Sequence, residues 1–278
     1  MKNPTNFLKV FAVTSSVIGT FPFVQGEATG AESPWVTTMG AKLRLIAQSS
    51  VDGMRFDAGL QIELEPGWKT YWRSPGSSGL PPQLSFAGST NVAGFKVLYP
   101  VPNAYDDASG RSAGYKGNVT FPIAVEQLFP GQATTLKLSG MLGVCKEICV
   151  PVPFDVTLDL GKEVASSAPV ARTLLAALTS LPQPAKDTMG VHTATLSEGG
   201  QVLTATGRLP EAVGGATLFV ASPAGVTIDP LLDGKREGDT ITFQKRFMKP
   251  LKPADREGKW VFLLKVGAKG LRSELPIQ

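Results

Sequence analysis

The sequence predicts an all-β protein, with an immunoglobulin-like β-sandwich followed by a short helical linker and a second, smaller β-sandwich. Short runs of alternating apolar and polar residues recur along the 278-residue chain. Turns rich in glycine and proline separate them, and the chain holds 30 glycines and 22 prolines. Runs at this spacing, with no helical pattern between them, are typical of antiparallel sandwiches.

The first sandwich is assigned to residues 31–162. Residues 42–47 and 59–64 alternate apolar and polar side chains, as strands with one buried face do. Further strands are predicted at residues 83–86, 95–99, 119–125, 134–142 and 154–160.

Residues 163–185 are predicted to form the linker. Within it, residues 169–181 place alanine and leucine at helical spacing, and Pro182 and Pro184 end the helix. The second sandwich is assigned to residues 186–278, which contain no cysteine. Its strands are predicted at residues 202–207, 216–221, 240–247 and 260–266.

Residues 1–30 are predicted to be a cleaved signal peptide. Lys2 and Lys9 form a basic start, residues 10–24 are mostly apolar, and small residues mark a cleavage region at 26–31. The alternative is a membrane anchor, which needs about 20 uninterrupted apolar residues. We therefore expect an exported protein that does not insert into lipid after cleavage, in a compartment where disulfides persist.

The charge balance excludes an obvious nucleic-acid role. The chain has 27 basic and 23 acidic residues, a net charge of +4, and no dense run of lysine or arginine. A protein that binds nucleic acid typically carries a basic stripe or a recognisable reading motif. Neither is present, so no nucleic-acid partner is expected.

The two cysteines, Cys145 and Cys149, carry the obvious chemistry of the chain. A disulfide across about five residues stabilises the folded chain by only about 2 kcal/mol through loop closure, so it contributes little to structural stability. Strained or exposed bridges tend to be exchangeable. Alternating residues on both sides predict a hairpin with both thiols at its tip, and Pro151 and Pro153 favour an edge strand.

Besides thiol–disulfide exchange, two other functions remain open for this pair. Two thiolates suit Cu(I), so a copper-binding or copper-delivery protein is the main alternative. A structural zinc site would need a second pair of cysteine or histidine ligands, which the sequence lacks. The remaining alternative is a non-catalytic immunoglobulin-like module with a structural disulfide. If the pair serves in thiol–disulfide exchange, which is the leading interpretation, we expect no cofactor and no resident metal.

Several other notable residues are interpreted as structural. Trp68, Tyr71 and Trp72 are assigned to packing, because aromatic side chains contribute large buried areas. His192, the single histidine of the chain, is assigned to an ordinary surface position.

Three motifs together resemble a known family. They are PGWKTYWRSPG at residues 66–76 with GLPP at 79–82, GRSAGY at 110–115 leading to Phe121 and Pro122, and Cys145-x3-Cys149 followed by Val150 and Pro151. Across about residues 35–160 the chain resembles the amino-terminal periplasmic domain of the DsbD and ScsB transmembrane thiol reductases. The first and third motifs match the ScsB-like branch.

The resemblance implies a component of a protein-disulfide reductase system in the periplasm. Cys149 would form the mixed disulfide with partners, and Cys145 would be the resolving thiol. The implied partners are a membrane-embedded DsbD/ScsB-like thiol reductase domain and periplasmic thioredoxin-fold proteins. Those reductases continue into a membrane-spanning conduit, whereas this sequence ends at Gln278, so we expect a stand-alone protein that receives electrons from a separate membrane protein.

The resemblance also implies a cap loop at Tyr105, Asp106 and Asp107. Ala108 and Ser109 follow where DsbD has an aromatic shield. Carboxylates near the thiols would disfavour the thiolate until a partner moves the loop, which is a gating hypothesis. An ordinary turn with solvated aspartates is the other interpretation.

Overall fold

The structure is a computed structural model that describes residue 1 and residues 32–49, 55–107, 110–162, 167–197, 199–232 and 234–278. The predicted signal peptide, apart from Met1, and the predicted cap-loop residues Ala108 and Ser109 lie outside the described residues. Within the described residues the all-β prediction is confirmed, because strands in four sheets account for nearly all regular structure.

The strands and helices follow one another along the chain in this order: β1 (Val36–Thr38), β2 (Ala41–Ser49), β3 (Arg55–Leu64), β4 (Lys69–Tyr71), β5 (Gln83–Ser85), β6 (Val92–Val97), β7 (Asn103–Asp107), β8 (Gly110–Lys116), β9 (Asn118–Gln127), β10 (Thr134–Cys145), β11 (Cys149–Leu160), α1 (Ala168–Thr179), β12 (Gln183–Pro184), β13 (Gly190–Leu196), β14 (Val202–Arg208), β15 (Thr217–Ala221), β16 (Lys235–Glu237), β17 (Thr240–Arg246), α2 (Pro253–Arg256), β18 (Trp260–Val266) and β19 (Lys269–Leu275).

The first sandwich packs a five-stranded sheet, in the order β1-β2-β3-β9-β6, against a six-stranded one. The second sheet has the order β11-β10-β4-β8-β7, with β5 also paired to β10. Alternate residues of β10, such as Leu136 and Leu138, enter the core between the sheets. The odd-numbered residues of β10, including Cys145, therefore lie on the opposite face of the six-stranded sheet.

The predicted cysteine hairpin is confirmed. Strands β10 and β11 pair antiparallel without interruption from Thr134 and Leu160 to Cys145 and Cys149. Strand β11 has β10 as its neighbour within the sheet and lies at its edge, as the prolines predicted. The cysteines are thus the last pair of a long, regular hairpin, next to the bend that joins its strands.

The predicted linker helix forms as α1 and is packed against the first sandwich. Its side chains Val170 and Leu174 make a small buried cluster with Ile46 of β2. Gly59 of β3 leaves room for this contact, because a Cβ there would lie 2.9 Å from the Leu174 side chain. No helix within the described ranges is long and apolar enough to span a bilayer.

The second sandwich consists of two four-stranded sheets, in the orders β12-β19-β18-β15 and β13-β14-β17-β16. Phe243, Trp260 and Phe262 are among the large side chains buried between them. The exact domain limits stay a prediction, but two sandwiches of unequal size agree with the predicted fold class.

The two sandwiches share a buried apolar contact. Phe219 of the second sandwich meets Trp72 of the first edge to face, with ring centroids 6.0 Å apart. Ala221, Val261 and Leu263 belong to the same continuous cluster as the core of the first sandwich. The second sandwich is therefore docked onto the first rather than tethered beside it.

Polar contacts surround this apolar centre. The Asp229 carboxylate accepts hydrogen bonds from the Ser77 backbone N–H at 2.7 Å and from its hydroxyl at 2.8 Å. The Ser74 hydroxyl donates to the carbonyl of Val220 at 2.9 Å. These bonds fix the segment after β4 against the second sandwich.

Truncation of the shared contact should destabilise the whole chain. Phe219→Ala removes a buried ring beside Trp72, and such changes cost about 3–5 kcal/mol in the free energy of unfolding. Phe129→Ala is the matched control, because Phe129 is 66 % exposed and its loss should cost no more than about 0.5 kcal/mol. Denaturant unfolding followed by tryptophan fluorescence measures both, and equal costs would contradict the docked arrangement.

Candidate redox site

Cys145 and Cys149 form a disulfide at the end of the β10–β11 hairpin. Their Cα atoms are 4.1 Å apart and face each other as the last pair of the ladder. Residues 146–148 make the connecting bend. Both cysteines lie where the sequence pattern predicted them.

The two sulfur-bearing residues differ in exposure. Cys145 is 1 % exposed, whereas Cys149 is half-buried. Both cysteines lie at the hairpin tip, as predicted, but Cys145 is buried there, beside β4, which pairs with β10 on the side opposite β11. The residues between them project outward, and the Ile148 side chain is 76 % exposed.

Strand β4 brings two polar side chains to the disulfide. Lys69 is the direct cross-strand partner of Cys145, and directly opposed residues project from the same face of a sheet. Tyr71, two residues on, shares that face. Thr70 points the other way, and its hydroxyl donates to the carbonyl of Gly143 at 2.9 Å, which fixes the register of β4 on β10.

Tyr71 contacts the more accessible sulfur. Its hydroxyl oxygen lies 2.9 Å from Cys149 Sγ, and the hydroxyl is the donor because a disulfide sulfur carries no hydrogen. Burial, together with the negative charge of Asp107, raises the pKa of Tyr71 to about 12, so the phenol is neutral at neutral pH. The packing interpretation of Tyr71 agrees with its full burial, but its hydroxyl contact with Cys149 was missed.

Lys69 is a buried cation on the strand that pairs with Cys145. Its side chain is 2 % exposed, and its Nζ lies 2.6 Å from Asp107 Oδ2. The same ammonium donates to the Ser112 hydroxyl at 3.3 Å. Sequence reasoning did not select Lys69, because lysine is rarely buried and its partner is 38 residues away.

The predicted cap residues form a strand rather than a loop. Tyr105, Asp106 and Asp107 belong to β7, which pairs with β8 in a hairpin beside β4. Asp106 pairs with Arg111 at 3.0 Å. Both carboxylates are therefore ion-paired, which neither the gating hypothesis nor the solvated-turn interpretation anticipated. The functional roles of the cap residues and of the cysteines stay predictions.

The remaining candidates lie away from the disulfide. Trp72 is buried at the contact between the sandwiches, and His192 is exposed on β13. Across the ranges that the structure describes, no group of three or more histidine, cysteine or acidic side chains is arranged to hold a metal ion.

The chain matches one protein family along part of its length. Residues 43–159 match the model of the family described as the N-terminal part of the thiol:disulfide interchange protein DsbD. The matched range contains the disulfide, β4 and the cap strand. No curated protein sequence matches the chain significantly.

The fold is similar to that of a solved domain. The N-terminal periplasmic domain of ScsB from Proteus mirabilis superposes with a TM-score of 0.68 at 22 % identity, over 89 % of this chain and 98 % of that one. The BSP domain of a biofilm-associated protein, at 12 % identity, covers 91 % of this chain and 52 % of that one with a TM-score of 0.25. The ScsB likeness therefore includes both sandwiches, and the second likeness carries no argument.

Removal of the Tyr71 hydroxyl should weaken the Cys149 thiolate in the reduced protein. A hydrogen bond to a charged group contributes about 1.5–3 kcal/mol, so Tyr71→Phe should raise the pKa of the Cys149 thiol by about one unit or more. The pH dependence of iodoacetamide labelling, resolved by peptide mass spectrometry, measures this pKa.

Tyr115→Phe serves as the control for that measurement. Tyr115 is also buried, but its hydroxyl donates to the carbonyl of Pro100 at 2.8 Å and not to a sulfur. This control should lower stability and leave the pKa of the thiol unchanged. An equal pKa in the Tyr71→Phe variant and the control would show that the 2.9 Å contact has no influence on Cys149.

Proposed function

We propose that this chain is a periplasmic thiol–disulfide exchange protein, because residues 43–159 match the model of the family of DsbD N-terminal domains. The observation that carries the proposal is the unequal burial of the two cysteines. Cys149 is half-exposed at a sheet edge, whereas Cys145 is 1 % exposed behind it. An incoming thiolate must reach the sulfur that it attacks, so this arrangement favours Cys149 as the partner-facing residue.

Delivery of electrons to a partner would take two exchange steps. The Cys149 thiolate attacks a disulfide sulfur of the partner, and the other partner sulfur leaves as a thiolate. The Cys145 thiolate then attacks Cys149 Sγ, which breaks the mixed disulfide and releases the second partner thiolate. The partner gains two electrons, and the Cys145–Cys149 disulfide is restored.

Reduction of the Cys145–Cys149 disulfide by an electron donor would follow the same steps in reverse. A dithiol on the electron donor attacks Cys149 Sγ, and the electron pair of the broken bond leaves on Cys145. From the match to the family model, the proposed donor is a membrane-embedded DsbD/ScsB-like thiol reductase domain, and the proposed acceptors are periplasmic thioredoxin-fold proteins. The position of Cys149 on an edge strand supports access by such partners.

The residues between the cysteines suit transient contact with a partner. Ile148, next to Cys149, exposes 76 % of its surface, and Lys146 and Glu147 are also exposed. A large apolar side chain at the tip of a hairpin gains by burial against another protein. Its position beside the partner-facing sulfur supports docking over this end of the sheet.

A trap experiment tests the proposal. Cys145→Ser leaves Cys149 without its resolving thiol, so mixed disulfides with periplasmic partners should accumulate and disappear on treatment with dithiothreitol. Non-reducing gels of periplasmic extracts, followed by mass spectrometry of the conjugates, measure this.

Cys149→Ser is the matched control, because it retains one thiol at the buried position. It should capture at least about tenfold less partner, since exchange requires access to the sulfur. Equal capture by both variants would contradict the assignment of roles, and no capture by either would contradict exchange with proteins.

A further inference from the structure

The leaving sulfur of the exchange reaction is the buried one. When a thiolate attacks Cys149, a new S–S bond forms to Cys149 Sγ, and the Cys145–Cys149 bond breaks. The electron pair departs on Cys145, which becomes a thiolate at a position 1 % exposed to water. A buried anion without a partner is strongly unfavourable, so this step requires a cation nearby.

The residue opposite Cys145 in the neighbouring strand carries a buried cation. Lys69 opposes Cys145 directly in the β10–β4 ladder, where Cβ atoms of paired residues are about 4.5–5.5 Å apart. An ammonium has three donors. Asp107 and Ser112 accept two of them, and the ammonium also lies 5.7 Å from the centroid of the Tyr71 ring.

We propose that Lys69 stabilises the Cys145 thiolate each time the disulfide is opened, an inference that rests on the exchange role proposed above. In the oxidised protein, Asp107 of the cap strand balances the Lys69 charge. When the disulfide opens, the Cys145 thiolate becomes a second anion on the same ammonium. In the reverse direction, Lys69 keeps Cys145 deprotonated and ready to attack the mixed disulfide.

Other charged or titratable groups face this position less directly. Tyr71 on β4 is neutral at neutral pH and contacts Cys149 rather than Cys145. Lys116 of β8 lies over the Tyr105 ring, 4.7 Å from its centroid, and is exposed. Lys146 and Glu147 in the bend are exposed, so water screens them. The negative charge of Asp107 disfavours the thiolate, and its ion pair with Lys69 offsets part of the lysine charge.

The ion pair with Asp107 complicates a single substitution, because Lys69 also anchors the cap strand. Loss of the anchor alone would loosen β7 and speed access to the disulfide. Loss of charge stabilisation would slow the breaking of the disulfide. Asp107→Asn separates the two effects, since it removes the ion pair and retains the Lys69 charge.

The test measures the rate at which dithiothreitol reduces the full chain at neutral pH. The rates of four proteins are compared: the parent, Lys69→Met, Asp107→Asn and the double variant that carries both changes. A nearby opposite charge shifts a thiol pKa by about 1–3 units, and a thiolate whose pKa is higher leaves more slowly. In the Asp107→Asn background we therefore expect Lys69→Met to slow reduction about tenfold. Lys69→Arg should restore most of the rate.

Lys146→Met is the control for charge without burial. It removes a positive charge from the bend between the cysteines and should change the rate less than about twofold, because solvent screens exposed charges. In the Asp107→Asn background, reduction of the Lys69→Met variant as fast as that of Asp107→Asn alone would overturn the inference and leave Lys69 as an anchor of the cap strand.

A second measurement needs no change at Lys69. In Cys149→Ser, the ultraviolet absorbance of the thiolate reports the pKa of Cys145. Burial alone would raise this pKa above the ordinary value of about 8.5, whereas an adjacent ammonium lowers it. A value below the ordinary one is expected, and a value at or above it would overturn the inference.

These readouts use a small reductant and are independent of any protein partner. If the Lys69 effects are found and the Cys145→Ser trap captures nothing, the proposed exchange with protein partners is wrong and the role of Lys69 stands. If the trap captures partners, Lys69→Met has no effect on the rate and the pKa of Cys145 is not lowered, exchange with protein partners stands and this inference fails.

Discussion

Strand β4 joins the two hairpins from which the redox site is built, and the site depends on its register. The strand has three residues, Lys69–Tyr71, and it pairs with the cysteine strand β10 on one side and with β8 of the cap hairpin on the other. A shift by one residue would turn Lys69 and Tyr71 away from the disulfide and toward the core. Gly114 permits the close approach of β8, because a Cβ there would overlap the carbonyl of Thr70.

Local patterns predicted much of the fold but little of the chemistry around the disulfide. Alternation and the prolines of β11 were sufficient for the hairpin, its edge position and the location of both cysteines. The burial of Cys145 was missed because β4 is too short to show a periodic pattern. The Lys69–Asp107 pair was missed because it joins residues far apart in the chain, and nothing local marks a lysine as buried.

The second sandwich also contributes to the surroundings of the site. Arg111 pairs with Asp106 of the cap strand and also donates to the carbonyl of Pro230 in the second sandwich, at 3.4 Å. Two contacts therefore fix the cap hairpin. One is the ion pair between the buried Lys69 and Asp107, and the other is the hydrogen bond from Arg111 to the second sandwich. The cap residues Asp106 and Asp107, which looked like free carboxylates in the sequence, each balance a cation in the fold.

We propose that the Cys145–Cys149 disulfide is exchanged during function and is not a structural bridge. A redox titration of the full chain against glutathione or dithiothreitol buffers, with the thiol and disulfide forms separated after alkylation, tests this most directly. For a disulfide that is exchanged we expect a midpoint potential above about −300 mV. A midpoint well below that value, where inert structural bridges lie, would contradict it.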